Sequence, residues 1–127
     1  MSIEWKDAYK IGHAGVDAQH QYLFELTHAL MAAEDVPTLR KTLMQLYKHT
    51  REHFELEEAL MRQLNFPDTR THTDSHNRLL TRLNVISEEV GQGQLNKPAV
   101  DALMTDWALR HIPHDDALLA AFIAQQV

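Results

Sequence analysis

Two stretches of this chain place one potential metal ligand four residues after another: His53-Phe54-Glu55-Leu56-Glu57 and His72-Thr73-Asp74-Ser75-His76. On a helix, four positions advance the side chain by about 400°, so each pair stands on one face and can converge on a single ion. His53 and Glu57 also continue an apolar stripe, Leu39, Leu43, Leu46, Thr50, His53, Glu57, Leu60 and Leu64, that alternates steps of four and three. His72 and His76 lead a second stripe through Leu79, Leu83, Ile86 and Val90. Polar donors in a core register are costly to bury unless something satisfies them. Such a chain has to pack its helices so that several donors meet.

The spacing predicts four helices. Asp17 suits an N-cap or first-turn acid, and His20, Leu23, Phe24, Thr27, Leu30 and Met31 carry a first helix to about Ala33. Pro37 fits the first turn of the second. The turn Asn65-Phe66-Pro67-Asp68 leads to the third, with Asp68 as its cap and Gly91 and Gly93 at its end. Pro98 opens a fourth, striped by Val100, Leu103, Met104, Trp107 and His111, and Pro113 is expected to break its ladder before the apolar tail Ala117 to Ile123. Amphipathic helices with short connections and no strand signal predict an all-α, up-down-up-down four-helix bundle with a metal site in its core. One domain is expected over residues 1–127, with an N-terminal arm at 1–16 carrying Trp5 and Tyr9 and the bundle at 17–127.

Composition narrows the chemistry. With no cysteine, any metal is held by nitrogen and oxygen donors. The net charge of −6, with Lys and Arg scattered along the chain, argues against nucleic acid or an anionic membrane as partner. No apolar run approaches the ~20 residues of a membrane span, and the start lacks a signal-peptide pattern, so a cytoplasmic chain is expected.

There are nine histidines. A single histidine on an apolar face is ordinarily a satisfied core residue. Here His20, His53, His72, His76 and His111, with Glu57, face the core from four stripes at once, and bound metal satisfies them together. Five imidazoles exceed one tetrahedral site, which points to two ions bridged by carboxylates; the ligand types suit iron, manganese and zinc alike. His13, His28, His49 and His114 match no ligand position and are read as surface or boundary residues, although His49 lies four before His53.

Asp17-Ala18-Gln19-His20, His53-Phe54 with Glu57-Glu58 and Met61, His72 through His76, and Trp107 through His111-Ile112 to Asp116 resemble the hemerythrin family, in particular its bacterial members. The resemblance covers essentially the whole chain, including Trp5 and the Phe66-Pro67 turn. It implies a non-heme di-iron site, oxo- or hydroxo-bridged, that binds dioxygen reversibly and is not an enzyme. Carried over by position, His72, His76 and His111 would hold one iron, His20 and His53 the other, and Glu57 and Asp116 would bridge. Phe54, Trp107 and Ala108 would line the dioxygen pocket.

Two carboxylates need an argument. The four-residue step from His53 selects Glu57 and leaves Glu58 turned about 100° away. Spacing from His111 favours Asp115, whereas the family pattern selects Asp116, five residues on. Such a pair lies about 140° apart on a regular helix but is aligned by a local π-turn, which Pro113 favours by freeing the carbonyl of Leu109.

The family often has leucine where this chain has Ala108; the smaller side chain is expected to admit water or small anions and hasten decay to the ferric state. Three roles follow: a dioxygen carrier, store or deliverer; a sensor whose di-iron state acts on a signalling or enzyme partner; and an enzyme reducing peroxide or nitric oxide. The last lacks an added acid or base beside the metal.

Overall fold

The computed structural model describes residues 4–10, 12 and 14–125, so His13 lies outside the described residues. A 3₁₀ turn at Asp7–Tyr9 precedes α1 (Ala14–Ala32), α2 (Val36–Leu64), α3 (Thr69–Gly91) and α4 (Lys97–Asp106). A π-helical segment (Trp107–Asp116) and α5 (Ala117–Ala124) follow α4. The last three form one continuous arm, since Asp106, Trp107 and Ala117 all keep right-handed helical dihedrals. With α1, α2 and α3 that arm completes the four-helix bundle, each helix packing on the next in the chain.

Local chemistry fixes the ends. Asp35 accepts the Thr38 N–H at 2.7 Å, with Pro37 in the first turn of α2. Asn65, in the left-handed region at φ 55°, closes α2 after 29 residues, about 43 Å. Asn96 accepts the Ala99 N–H at 3.1 Å ahead of α4. The expected cap on α3 is corrected: Asp68 holds the position but its side chain makes no capping bond, and Thr69 Oγ1 donates instead to the Phe66 carbonyl at 2.6 Å. α1 begins at Ala14, three residues before Asp17, which is a buried first-turn acid.

Along α2 the buried face runs through Leu39, Leu43, Leu46, Thr50, His53 and Glu57, then passes to Met61 while Leu60 and Leu64 are only half-buried. A strict 3.5-residue repeat drifts about 20° per heptad against a 3.6-residue helix, and over this length the drift moves the stripe by one position. Leu30, Leu46, Leu83, Ile86 and Leu103 belong to one large apolar cluster; Met61, Phe66 and Leu119 form a second, covered by Phe122 and Ile123. Phe54 belongs to the first cluster and Met61 to the second, so Glu57 sits on α2 between them. The arm covers the large cluster, Trp5 standing edge-on to Phe24 with ring centroids 5.5 Å apart. Among the described residues no helix is long and apolar enough to cross a membrane.

Pro113 does not break the fourth arm. The ladder changes register instead, the Ala117 N–H reaching the Ile112 carbonyl five residues back.

Candidate metal centre

Five imidazoles and two carboxylates, all buried, meet between the two apolar clusters: His20 from α1, His53 and Glu57 from α2, His72 and His76 from α3, His111 and Asp116 from the π segment. Glu57 Oε1 lies 3.0 Å from His76 Nε2 and 3.2 Å from His72 Nε2, while its Oε2 lies 3.0 Å from His53 Nε2. Asp116 repeats the pattern: Oδ1 is 2.9 Å from His72 Nε2 and 3.0 Å from His111 Nε2, and Oδ2 is 3.0 Å from His20 Nε2. Each carboxylate therefore turns one oxygen toward the set His72, His76, His111 and the other toward the pair His20, His53. Two ligand groups with the reach for a metal ion result, one of Glu57, His72, His76, His111 and Asp116 and one of His20, His53 and Glu57, sharing Glu57.

His72 Nε2 and Glu57 Oε1 hydrogen-bond across the site, but most of the other inward atoms do not. His76 Nε2, His111 Nε2, Glu57 Oε2 and both Asp116 oxygens make no hydrogen bond although each has a nitrogen or oxygen near 3 Å. Buried polar atoms left so are costly. Lone pairs aimed at shared points between them are what cations satisfy, and the two carboxylates supply the charge to hold cations there. The donor set thus fits a metal site of nitrogen and oxygen ligands.

Electrostatics agree. Burial and the neighbouring Asp116 push the Glu57 carboxyl up, yet the imidazoles of His53, His72 and His76 beside it carry it well below the usual carboxylate range. Asp116, raised by burial, is held far down by His111, His20 and His72. Burial lowers His72 and His111, but Asp116 outweighs it, with Glu57 aiding His72 and Asp115 aiding His111, and leaves them raised to about 9 and about 10. Without a cation, protons on imidazole do the neutralising that metal does when bound.

Four residues not assigned a role from the sequence orient the ligands. Gln19 Oε1 meets His53 Nδ1. Glu58 Oε2 accepts from His76 Nδ1 at 2.9 Å. Ser75 Oγ and Asp115 Oδ2 lie 2.8 and 3.0 Å from His111 Nδ1. A bond on the far nitrogen fixes ring orientation and raises ligand basicity. Each of the four is the chain neighbour of a ligand, and that adjacency was the available signal.

The π segment turns the two aspartates to opposite edges of His111. Asp115, four after His111, reaches the outer Nδ1, while Asp116, five after, lies against the inner Nε2. Phe54 stacks on His76 with centroids 3.8 Å apart and faces Trp107 at 5.2 Å, so these two aromatic rings wall the three-histidine set. Ala108, next to Trp107, is buried too. His49 borders the site, its Nε2 3.0 Å from the Gln19 carbonyl and its ring parallel to that of His53. His114 is exposed and pairs with Asp115 at 2.8 Å, and His28 is half-buried; neither belongs to the ligand groups.

The profile of the Hemerythrin HHE cation binding domain matches residues 12–123. The chain is 26% identical over 126 residues to a bacteriohemerythrin of Ralstonia nicotianae, covering 98% of this chain and 90% of that protein. It is 22% identical over 113 residues to a myohemerythrin of Theromyzon tessulatum, covering 89% and 87%. Its fold is similar to a crystal structure of a hemerythrin carrying a leucine-to-alanine substitution, with a TM-score of 0.83 at 24% identity over 96% of this chain and 98% of that one.

Proposed function

Because the chain belongs to the hemerythrin family, known for di-iron oxygen binding, we propose that it is a cytoplasmic, single-domain dioxygen-binding protein that carries, stores or delivers the gas. In this reading His72, His76 and His111 would hold one iron and His20 and His53 the other, with Glu57 and Asp116 as carboxylates shared between the two sets. The observation that supports it most is the division of each carboxylate, one oxygen toward each histidine set. A bound di-iron pair supplies two electrons and a coordination position for dioxygen. Phe54 and Trp107, each 1% exposed, keep bulk water from the three-histidine side. Gln19, Glu58, Ser75 and Asp115 hold the rings in place.

Glu58 and Asp115 stand beside the site in addition to Glu57 and Asp116, and each is engaged by histidine nitrogen. They orient ligands and are not positioned as general acid or base, which favours a binding protein over an enzyme. The test is the visible spectrum of the anaerobically reduced, iron-loaded protein as dioxygen is added and withdrawn under vacuum. A charge-transfer band that appears and then disappears is the expected result; direct passage to a stable ferric form would sink the carrier reading.

Ala108 supports a second role, sensing. A methyl group at a fully buried position beside Trp107 fills less of the wall than leucine does, and easier access for water or anions makes the ferric state quicker to form. Such a centre reports oxygen or redox state to a signalling partner better than it stores gas. Ala108→Leu is expected to slow autoxidation severalfold, followed as loss of the charge-transfer band in air; an unchanged rate removes Ala108 from the account.

A further inference from the structure

On the outer side of the three-histidine set, α3 and the π segment enclose a groove of about 790 Å³. Its lining includes Arg78, Arg82 and Arg110, three of the seven arginines in the chain. Against them stand Asp106 and Asp115, so the groove carries a net positive charge on a chain whose net charge is −6. Arg82 and Arg110 share Asp106, at 2.6 and 3.7 Å. Arg78 is exposed and has no ion-pair partner among the described residues. Leu109 adds an apolar surface, 55% exposed.

The floor of the groove is the outer edge of His111. Its Nδ1 meets Ser75 and Asp115, both groove residues, and its Nε2 lies 3.0 Å from Asp116 Oδ1 inside the centre. One imidazole ring separates an open cationic groove from the buried ligands.

We propose that this groove docks a small phosphate-bearing two-electron donor, a reduced flavin mononucleotide in chemical class, that returns the oxidised centre to its reduced state through the His111 ring. The proposal rests on the di-iron reading above. A centre that oxidises has to be re-reduced, and a ferric pair takes two electrons to become ferrous. A dihydroflavin gives up two electrons and two protons, becoming oxidised flavin, with the protons released into the open groove. The volume lies within the roughly 300–1,000 Å³ of small-ligand sites. The Arg78 guanidinium suits a phosphate by its forked donors, and the exposed Leu109 offers an apolar face to the ring system.

Oxidised flavin mononucleotide and riboflavin differ by the phosphate alone, which makes them the probes. Titrated by flavin fluorescence onto the zinc-loaded, redox-silent protein at low salt, the mononucleotide is expected to bind about tenfold more tightly. Arg78→Gln abolishes that preference, while Arg51→Gln, the same charge change away from the groove, preserves it. In stopped flow, the reduced mononucleotide is expected to reduce the ferric protein about tenfold faster than reduced riboflavin, an advantage lost at high salt. Equal binding of the two flavins, or indifference to Arg78→Gln, overturns the docking site. Tight binding without faster reduction overturns the electron-donor role. If the di-iron reading itself fails, iron does not load, while the zinc arm still reports on the groove.

Discussion

Asp116→Asn is expected to lower the metal content from two ions per chain to one or none, whereas Asp115→Asn leaves the protein loaded. The residues are neighbours of the same type, so composition and local propensity predict no difference. Asp116 is fully buried with one oxygen toward His72 and His111 and the other toward His20. An amide there removes a negative charge and turns an NH₂ group toward one of the two histidine sets. Asp115 meets the outer nitrogen of His111, the exposed His114 and Ser75, and none of the inward-facing atoms. Loss of such an orienting group typically weakens metal affinity 10–100-fold, which about 1.4–2.8 kcal/mol expresses. Metal per chain after exhaustive dialysis, measured by mass spectrometry, separates the outcomes. Similar losses in both variants would return the bridging role to Asp115 and make the π register irrelevant.

Stripping the metal is expected to lower the unfolding midpoint by roughly 10–20 °C. A ligand at about a thousand times its dissociation constant stabilises a fold by about 4 kcal/mol, and each kcal/mol is worth roughly 3–5 °C for a chain of this size. The physical cause is local. The seven donors sit between the clusters, and several of their inner-facing atoms make no hydrogen bond. Without cations the carboxylates are balanced by protons on His72 and His111 instead. Loosening should concentrate in α2 around Glu57 and in the π segment, while the leucine-rich end, where Leu30, Leu46, Leu83 and Leu103 pack, keeps its protection. Thermal melts with and without chelator, paired with amide exchange, provide the check. Coincident melts would show that the seven residues stabilise the bundle without metal.

Much of the site was legible because helical periodicity and core burial act on the same residues. His53 with Glu57 and His72 with His76 read as ligands since four residues nearly complete a turn. The orienting residues were harder to read. Gln19, Glu58 and Ser75 each neighbour a ligand on their own helix but serve a ligand on another: His53, His76 and His111. A neighbour in sequence is turned about 100° from the ligand, and only the packing of helices settles what it meets there. The capping role expected of Asp68 failed for a related reason. Its position was right, but the turn geometry gave the closing bond to Thr69.

By itself the sequence determined four helices, their inward faces, and five histidines with Glu57 along those faces, because hydrophobic spacing is a one-dimensional property that burial enforces. Tertiary structure decided what depends on register between helices. It shifted the fourth arm into π geometry, so that Asp116 and not Asp115 faces the centre. It divided the oxygens of Glu57 and Asp116 between two histidine sets. It also gathered Arg78, Arg82 and Arg110, scattered along the chain, around one groove behind His111. Distance in space between side chains on different helices is not a function of their separation in sequence, and the chemistry of this site lies in those distances.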